Sequence, residues 1–156
     1  MLDALYSKDV LRRAAMIGRT GRLAAPGASV TRVSPVCGSR ITVDVEMRDG
    51  VVSDYAQDIH ACALGQSSAS ILAEQIVGRS GRELREVAAN LRAMLVDGSP
   101  APGGDWSALS ILAPVHDHKS RHGAVMLAFE AAIDAIADVT GEDAIPADRQ
   151  LTKRSS

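Results

Sequence analysis

Apolar and polar residues change their spacing along this chain, and the change separates a strand-forming part from a helix-forming part. In residues 41–47, Ile, Val, Val and Met occupy every second position, which is the period of a half-buried strand. Residues 29–33 and 51–59 are predicted to be neighbouring strands, and Asp49 with Gly50 supplies the turn between the second and third. The pattern therefore predicts a three-stranded antiparallel meander.

Apolar residues at helical spacing flank this meander on both sides. Before it, residues 5–17 are predicted to form an amphipathic helix with Leu5, Val10, Leu11 and Ala14 facing inward. After it, helices are predicted from Cys62 to Gly78, over residues 82–95, over residues 106–112 with Pro114 closing the helix, and from about residue 120 onward. Strands followed by helices indicate an α+β fold, with a small three-stranded sheet packed against helices on one face. Residues 1–141 are predicted to be one domain, and the polar tail 142–156 is expected to fray.

Composition narrows the class of protein. Aromatic residues make up 3% of the 156 residues, so the core has to be built from Ala, Leu, Ile and Val. A net charge of -2 provides no global basic field, so no nucleic-acid partner is expected. No apolar run is long enough for a membrane span, and no signal peptide is recognised, so a cytoplasmic protein is expected. Five arginines near the start are interpreted as surface residues, either solvated or facing a partner: Arg12, Arg13, Arg19, Arg22 and Arg32.

The chain's two cysteines are the main candidates for chemistry. Cys37 follows the first predicted strand, and Cys62 stands where the third strand gives way to a helix. A pair of cysteines in a cytoplasmic chain indicates free thiols rather than a disulfide framework. They can be small core residues or ligands, because a thiolate binds soft metals and sulfur. The start of a helix favours the thiolate form of a cysteine such as Cys62.

The residues around these cysteines resemble the U-type iron–sulfur cluster assembly scaffold family, which includes IscU, the NifU N-terminal domain and SufU. The resemblance rests on Pro-Val-Cys-Gly at 35–38, Ala-Cys-Ala at 61–63, and the serine-rich helix that follows up to Glu74. It extends from residue 5 to residue 131, and the segments 98–106 and 115–121 look most like the SufU branch. The resemblance implies the same α+β fold. It also implies that the chain takes sulfur from a cysteine desulfurase and holds a [2Fe–2S] cluster or, in the SufU branch, zinc.

The family's metal site consists of three cysteines and an aspartate, and this chain keeps only part of it. By the resemblance, the first two cysteines are Cys37 and Cys62, the aspartate position holds Ser39, and the third cysteine position holds Ala124. Histidines could replace the missing ligands, and His60 and His122 are the candidates nearest to the site. His116 and His118 flank Asp117 in a predicted loop and are interpreted as solvated.

The sequence thus predicts an iron–sulfur cluster assembly scaffold, a protein that is not a stand-alone catalyst. It would bind iron or a [2Fe–2S] cluster, or accept sulfur, through Cys37 and Cys62. The expected partners are a cysteine desulfurase, apo iron–sulfur client proteins and a second copy of the chain. An alternative is a noncatalytic adapter that docks on a desulfurase or client without a cluster. A third interpretation, a zinc-bound sulfur acceptor, is weakened because two thiolates leave two zinc positions unfilled.

Overall fold

A computed structural model of the chain describes residues 5–35 and 38–141, together with the backbone of residues 152–155. The strands are β1 (Ala28–Val33), β2 (Arg40–Arg48), β3 (Val51–His60) and β4 (Thr152–Ser155). They form one antiparallel sheet in the order β3-β2-β1-β4. The three predicted strands are confirmed. Strand β4 was not predicted from the sequence, and residues 142–151 and 156 of the tail lie outside the described residues.

The helices are α1 (Lys8–Ala15), α2 (Ala63–Gln75), α3 (Gly81–Asp97) and α4 (His122–Thr140), with two 3₁₀ helices (Gly104–Asp117 and Lys119–Arg121) before α4. Helix α4 packs on β1 and β2, and α2 and α3 pack on α4, so the predicted α+β architecture is confirmed. Serine side chains cap the N-termini of two helices. The Ser7 hydroxyl accepts a hydrogen bond from the Val10 amide, and the Ser80 hydroxyl accepts one from the Glu83 amide. Within the described residues, no helix is long and apolar enough to cross a membrane.

Two details of the helix predictions are wrong. Helix α1 buries Val10 but leaves the Leu11 side chain 49% exposed, since adjacent helical residues point about 100° apart. The helix predicted over 106–112 is a longer 3₁₀ helix, Gly104–Asp117, with Pro114 inside it. Its buried side chains recur every third residue, which is the 3₁₀ period: Trp106, Leu109, Leu112 and Val115.

Strand β2 is buried on both faces at Asp44, although the other described residues of that second face are exposed or half-buried. Ile41, Val43 and Val45 are buried on one face, as the alternation predicts. On the other face the Asp44 side chain is also fully buried, because the loop before β1 covers it. Its carboxylate accepts hydrogen bonds from Arg22, from the Leu23 amide and from Ser29. Burial disfavours the charged carboxylate, but these hydrogen bonds outweigh it and hold the pKa of Asp44 below its usual value.

The interpretation of Arg32 as a surface residue is also wrong. Its side chain is 2% exposed and lies between β1 and α4. Arg32 Nη1 donates to Asp134 Oδ2 at 3.1 Å, and its Nη2 lies 3.6 Å from Glu130 Oε1. Arg92 also pairs with Glu130. The arginine can be buried because two carboxylates of α4 compensate its charge. These carboxylates are distant in the sequence, so the residues next to Arg32 do not predict its burial.

Candidate thiolate site

The two segments that carry the cysteines meet at one end of the sheet. Arg40, the first residue of β2, pairs with both Val33 at the end of β1 and His60 at the end of β3. The loop 34–39 enters β2 here, and residues 61 and 62 leave β3 here. The antiparallel register therefore brings these two connections to the same edge.

The described ends of the loop 34–39 are fixed by backbone hydrogen bonds. The Ser34 amide donates to the Ser39 carbonyl at 2.8 Å, and the Gly38 amide donates to the Ser34 carbonyl at 2.9 Å. Gly38 has a φ of +73°, a conformation that favours glycine. Ser34 and Ser39 are both buried. Cys37 itself lies outside the described residues.

Cys62 is the N-cap residue of α2, as predicted for the start of that helix. It is half-buried, and its side chain makes no capping hydrogen bond. The first turn of α2 contains no acidic residue. The unpaired amides at this helix end carry partial positive charge, which attracts anionic groups to the place where Cys62 lies.

The first turn of α4 contacts both cysteine-bearing segments, and two glycines make these contacts possible. A Cβ on Gly65 in α2 would lie 2.8 Å from the Ala61 Cβ and 3.1 Å from the Ala124 carbonyl oxygen. A Cβ on Gly123 would lie 2.9 Å from the Ser34 Oγ. A larger residue at position 65 would push α2 away from Ala61 and from the start of α4. Neither glycine was predicted as a site residue, although a small residue one turn after Cys62 is a signal of close helix packing.

Ala124 and Ser39, which the resemblance assigns to two of the family's ligand positions, lie close to these segments. Ala124 is 1% exposed beside the first turn of α2, and its methyl group cannot donate to a metal. Ser39 is buried at the entrance to β2, and a hydroxyl is protonated at neutral pH and is a poor ligand. Neither side chain is therefore suited to bind a metal ion at neutral pH.

The histidines have other contacts. His60 is 64% exposed, and its Nε2 lies 3.5 Å from Asp58 Oδ1. His122 Nε2 donates to the carbonyl oxygens of Val115 at 2.9 Å and His116 at 3.2 Å, which leaves only its Nδ1 for a metal. Among the residues that the structure describes, no three His, Cys, Asp or Glu side chains are grouped to hold a metal ion. The ligand roles of Cys37, Cys62, His60 and His122 stay predictions.

Known proteins similar to this chain share its fold over most of its length. The N-terminal part of a nitrogen-fixing NifU-like protein from Brucella abortus is 39% identical, with a TM-score of 0.87 over 91% of this chain and 99% of that one. A protein assigned to the SUF system as an iron–sulfur cluster assembly scaffold, from Fervidobacterium islandicum AW-1, is 19% identical. Its TM-score is 0.78 over 86% of this chain and 98% of that one, and it shows the fold alone.

A curated relative and a protein family point to the same class of protein as these structures. The iron–sulfur cluster assembly scaffold protein IscU of Thermotoga maritima is 24% identical over 104 residues, which cover 67% of this chain and 72% of that protein. Residues 5–141 match the NifU-like N-terminal domain family. This match confirms the resemblance on which the sequence analysis relied. The chain belongs to the NifU-like N-terminal domain family.

Proposed function

We propose that this chain acts in iron–sulfur cluster assembly, and that Cys37 and Cys62 are its thiolate pair. The observation that carries the proposal is the meeting of three segments at one sheet end: the loop 34–39, the start of α2 and the start of α4. The chain's only two cysteines occupy two of these segments, at the first and second cysteine positions of the family. The iron–sulfur function given in the relatives' names supports a role in cluster assembly.

In this role the thiolates accept sulfur or bind iron. A thiolate of the chain attacks the outer sulfur of a desulfurase persulfide, a new S–S bond forms on the acceptor cysteine, and the desulfurase thiolate leaves. No net oxidation occurs in this exchange. His60 and His122 are the candidate additional metal ligands, and either imidazole would have to give up a present contact or use its other nitrogen.

Anaerobic reconstitution with iron and sulfide tests the proposal. We expect visible absorbance and bound iron in the wild-type protein, and loss of both in Cys37→Ala and in Cys62→Ala. Arg82→Ala is the matched control, because its side chain is 83% exposed on α3. A second arm mixes the protein with a cysteine desulfurase and cysteine, and mass spectrometry looks for an added sulfur atom on each cysteine. A wild-type protein that gains neither a chromophore nor an added sulfur atom would contradict the proposal.

A second candidate function is a noncatalytic adapter, and the alanine at position 124 favours it. An adapter docks on a desulfurase or a client without holding a cluster. It predicts that the double variant Cys37→Ala with Cys62→Ala still co-purifies with a cysteine desulfurase. It also predicts that the wild type forms no chromophore on reconstitution.

A further inference from the structure

A cavity of about 230 Å³ lies between the end of α1 and the second half of α2. It is separate from the thiolate site, because Cys62 caps the start of α2 and Ser70 lies about 12 Å further along the helix axis. A cavity of about 150 Å³ can hold benzene, so this one has room for a molecule of similar or slightly larger size. Six residues line it: Met16, Gly18, Arg19, Ser70, Ala73 and Glu74.

One buried side chain, that of Gln57 on β3, fixes two walls of this cavity relative to each other. Its Nε2 donates to the Gly18 carbonyl at 3.1 Å and to the Ala69 carbonyl of α2 at 3.2 Å. The Gln57 backbone amide donates to the Arg19 carbonyl at 2.9 Å. The cavity is therefore formed before any ligand arrives, which lowers the entropic cost of binding.

Arg19 holds its place in the wall with a backbone conformation that glycine adopts more easily. Its φ is +52°, in the left-handed region that is uncommon for a residue with a side chain. Backbone strain of this kind clusters where a ligand or a reaction requires it. The strain therefore favours a use for the arginine side chain at this position.

Three polar side chains of the wall have hydrogen-bonding capacity left for a ligand. Ser70 is 5% exposed, and its hydroxyl bonds to no residue that the structure describes. Glu74 Oε2 accepts from Arg13 at 2.7 Å, while its Oε1 has no partner in the described part of the chain. Arg19 Nη1 lies 3.5 Å from Asp54 Oδ1, and its Nε and Nη2 bond to no described residue. The wall thus offers a cation, an anion and a buried hydroxyl to one small molecule.

These groups match a molecule that itself carries both charges. The planar guanidinium of Arg19 suits a carboxylate, and the second oxygen of Glu74 suits an ammonium group. Met16 and Ala73 provide an apolar wall for a short side chain. We propose that the cavity binds a free α-amino acid with a short side chain, with its carboxylate on Arg19 and Ser70 and its ammonium on Glu74. This site does not depend on the cysteines.

NMR spectra of the backbone amides of the full chain, titrated with L-alanine and with L-valine, test the proposal. We expect saturable shifts that are largest at residues 16–19 and 70–74, with a Kd of about 1–10 mM because so small a ligand makes few contacts. Propionate lacks the ammonium and ethylamine lacks the carboxylate, so each should bind at least about tenfold more weakly. Unsaturable shifts with both amino acids, shifts centred elsewhere, or equal binding of either analogue would overturn the proposal.

Arg19→Gly separates the side chain from the backbone conformation. Glycine keeps the positive φ without strain, so the variant should still fold, and it should bind the amino acid at least about tenfold more weakly. Glu74→Gln should weaken binding to a similar extent, and Ser70→Ala several-fold. Arg82→Ala is the matched control, because its side chain is 83% exposed on α3 and should leave the Kd unchanged. Wild-type affinity in Arg19→Gly or in Glu74→Gln would refute the assignment.

Discussion

Replacement of Arg32 should show how strongly the buried charges hold α4 against the sheet. The Arg32 side chain is 2% exposed and that of Asp134 is 0% exposed, so Arg32→Met removes the cation that lies 3.1 Å from a buried carboxylate. Removal of one partner from a buried pair costs about 3–5 kcal/mol. Glu130 keeps its pairing with Arg92, which places the expected loss at the lower end, about 3 kcal/mol. For a chain of this size that loss lowers Tm by about 6–12 °C.

Equilibrium unfolding in urea measures this loss, and Trp106 is a suitable reporter because it is the only tryptophan and is buried. The double variant Arg32→Met with Asp134→Leu removes both charges, so its stability should return to within about 1 kcal/mol of the wild type. Arg82→Met, exposed on α3, should change stability by less than about 0.5 kcal/mol. A loss below about 1 kcal/mol in Arg32→Met, or a double variant less stable than the single one, would refute the reasoning.

Three further predictions concern side chains away from the thiolates. Asp44→Asn should destabilise the fold by about 1–3 kcal/mol at pH 7, because the bonded carboxylate is lost. The pKa of Asp44 in the folded protein lies below its unfolded value of about 3.9. The difference in unfolding free energy between the variant and the wild type should therefore shrink as the pH falls below about 4. Ser67→Ala should leave stability unchanged or raise it by about 1 kcal/mol in the same assay, because the buried Ser67 hydroxyl has no partner among the described residues. A clear loss would contradict this. Arg79→Ala should shift the fluorescence emission of Trp106 to longer wavelength. The Arg79 guanidinium lies 5.7 Å from the centroid of the indole ring and donates a hydrogen bond to Asp105 beside it. An unchanged emission spectrum would argue against that packing.

The sequence predicted which segments contribute to the site, but not which residues of those segments contact each other. The positions of Cys37 and Cys62 relative to the strands followed from periodicity, and the structure bears out the start of α2 at Cys62. The approach of Ala124 to Gly65 depends on how α4 lies over the sheet. These residues are 59 positions apart, so no local pattern connects them. The contacts of His122 depend in the same way on the 3₁₀ helix before α4.

The three-stranded meander and the order of the helices could be predicted from the amino-acid pattern, because the two-residue and 3.6-residue periods are local properties of the chain. The family could be predicted from the residues around Cys37 and Cys62. The sequence also determined that only two cysteines are available. Contacts between distant elements set the exposure of Leu11, the burial of Asp44 and Arg32, and the pairing of a fourth strand with β1. Burial of a charge depends on compensating groups from distant elements, as with Arg32 on β1 and Asp134 on α4. These partners become neighbours only when the helix packs on the sheet.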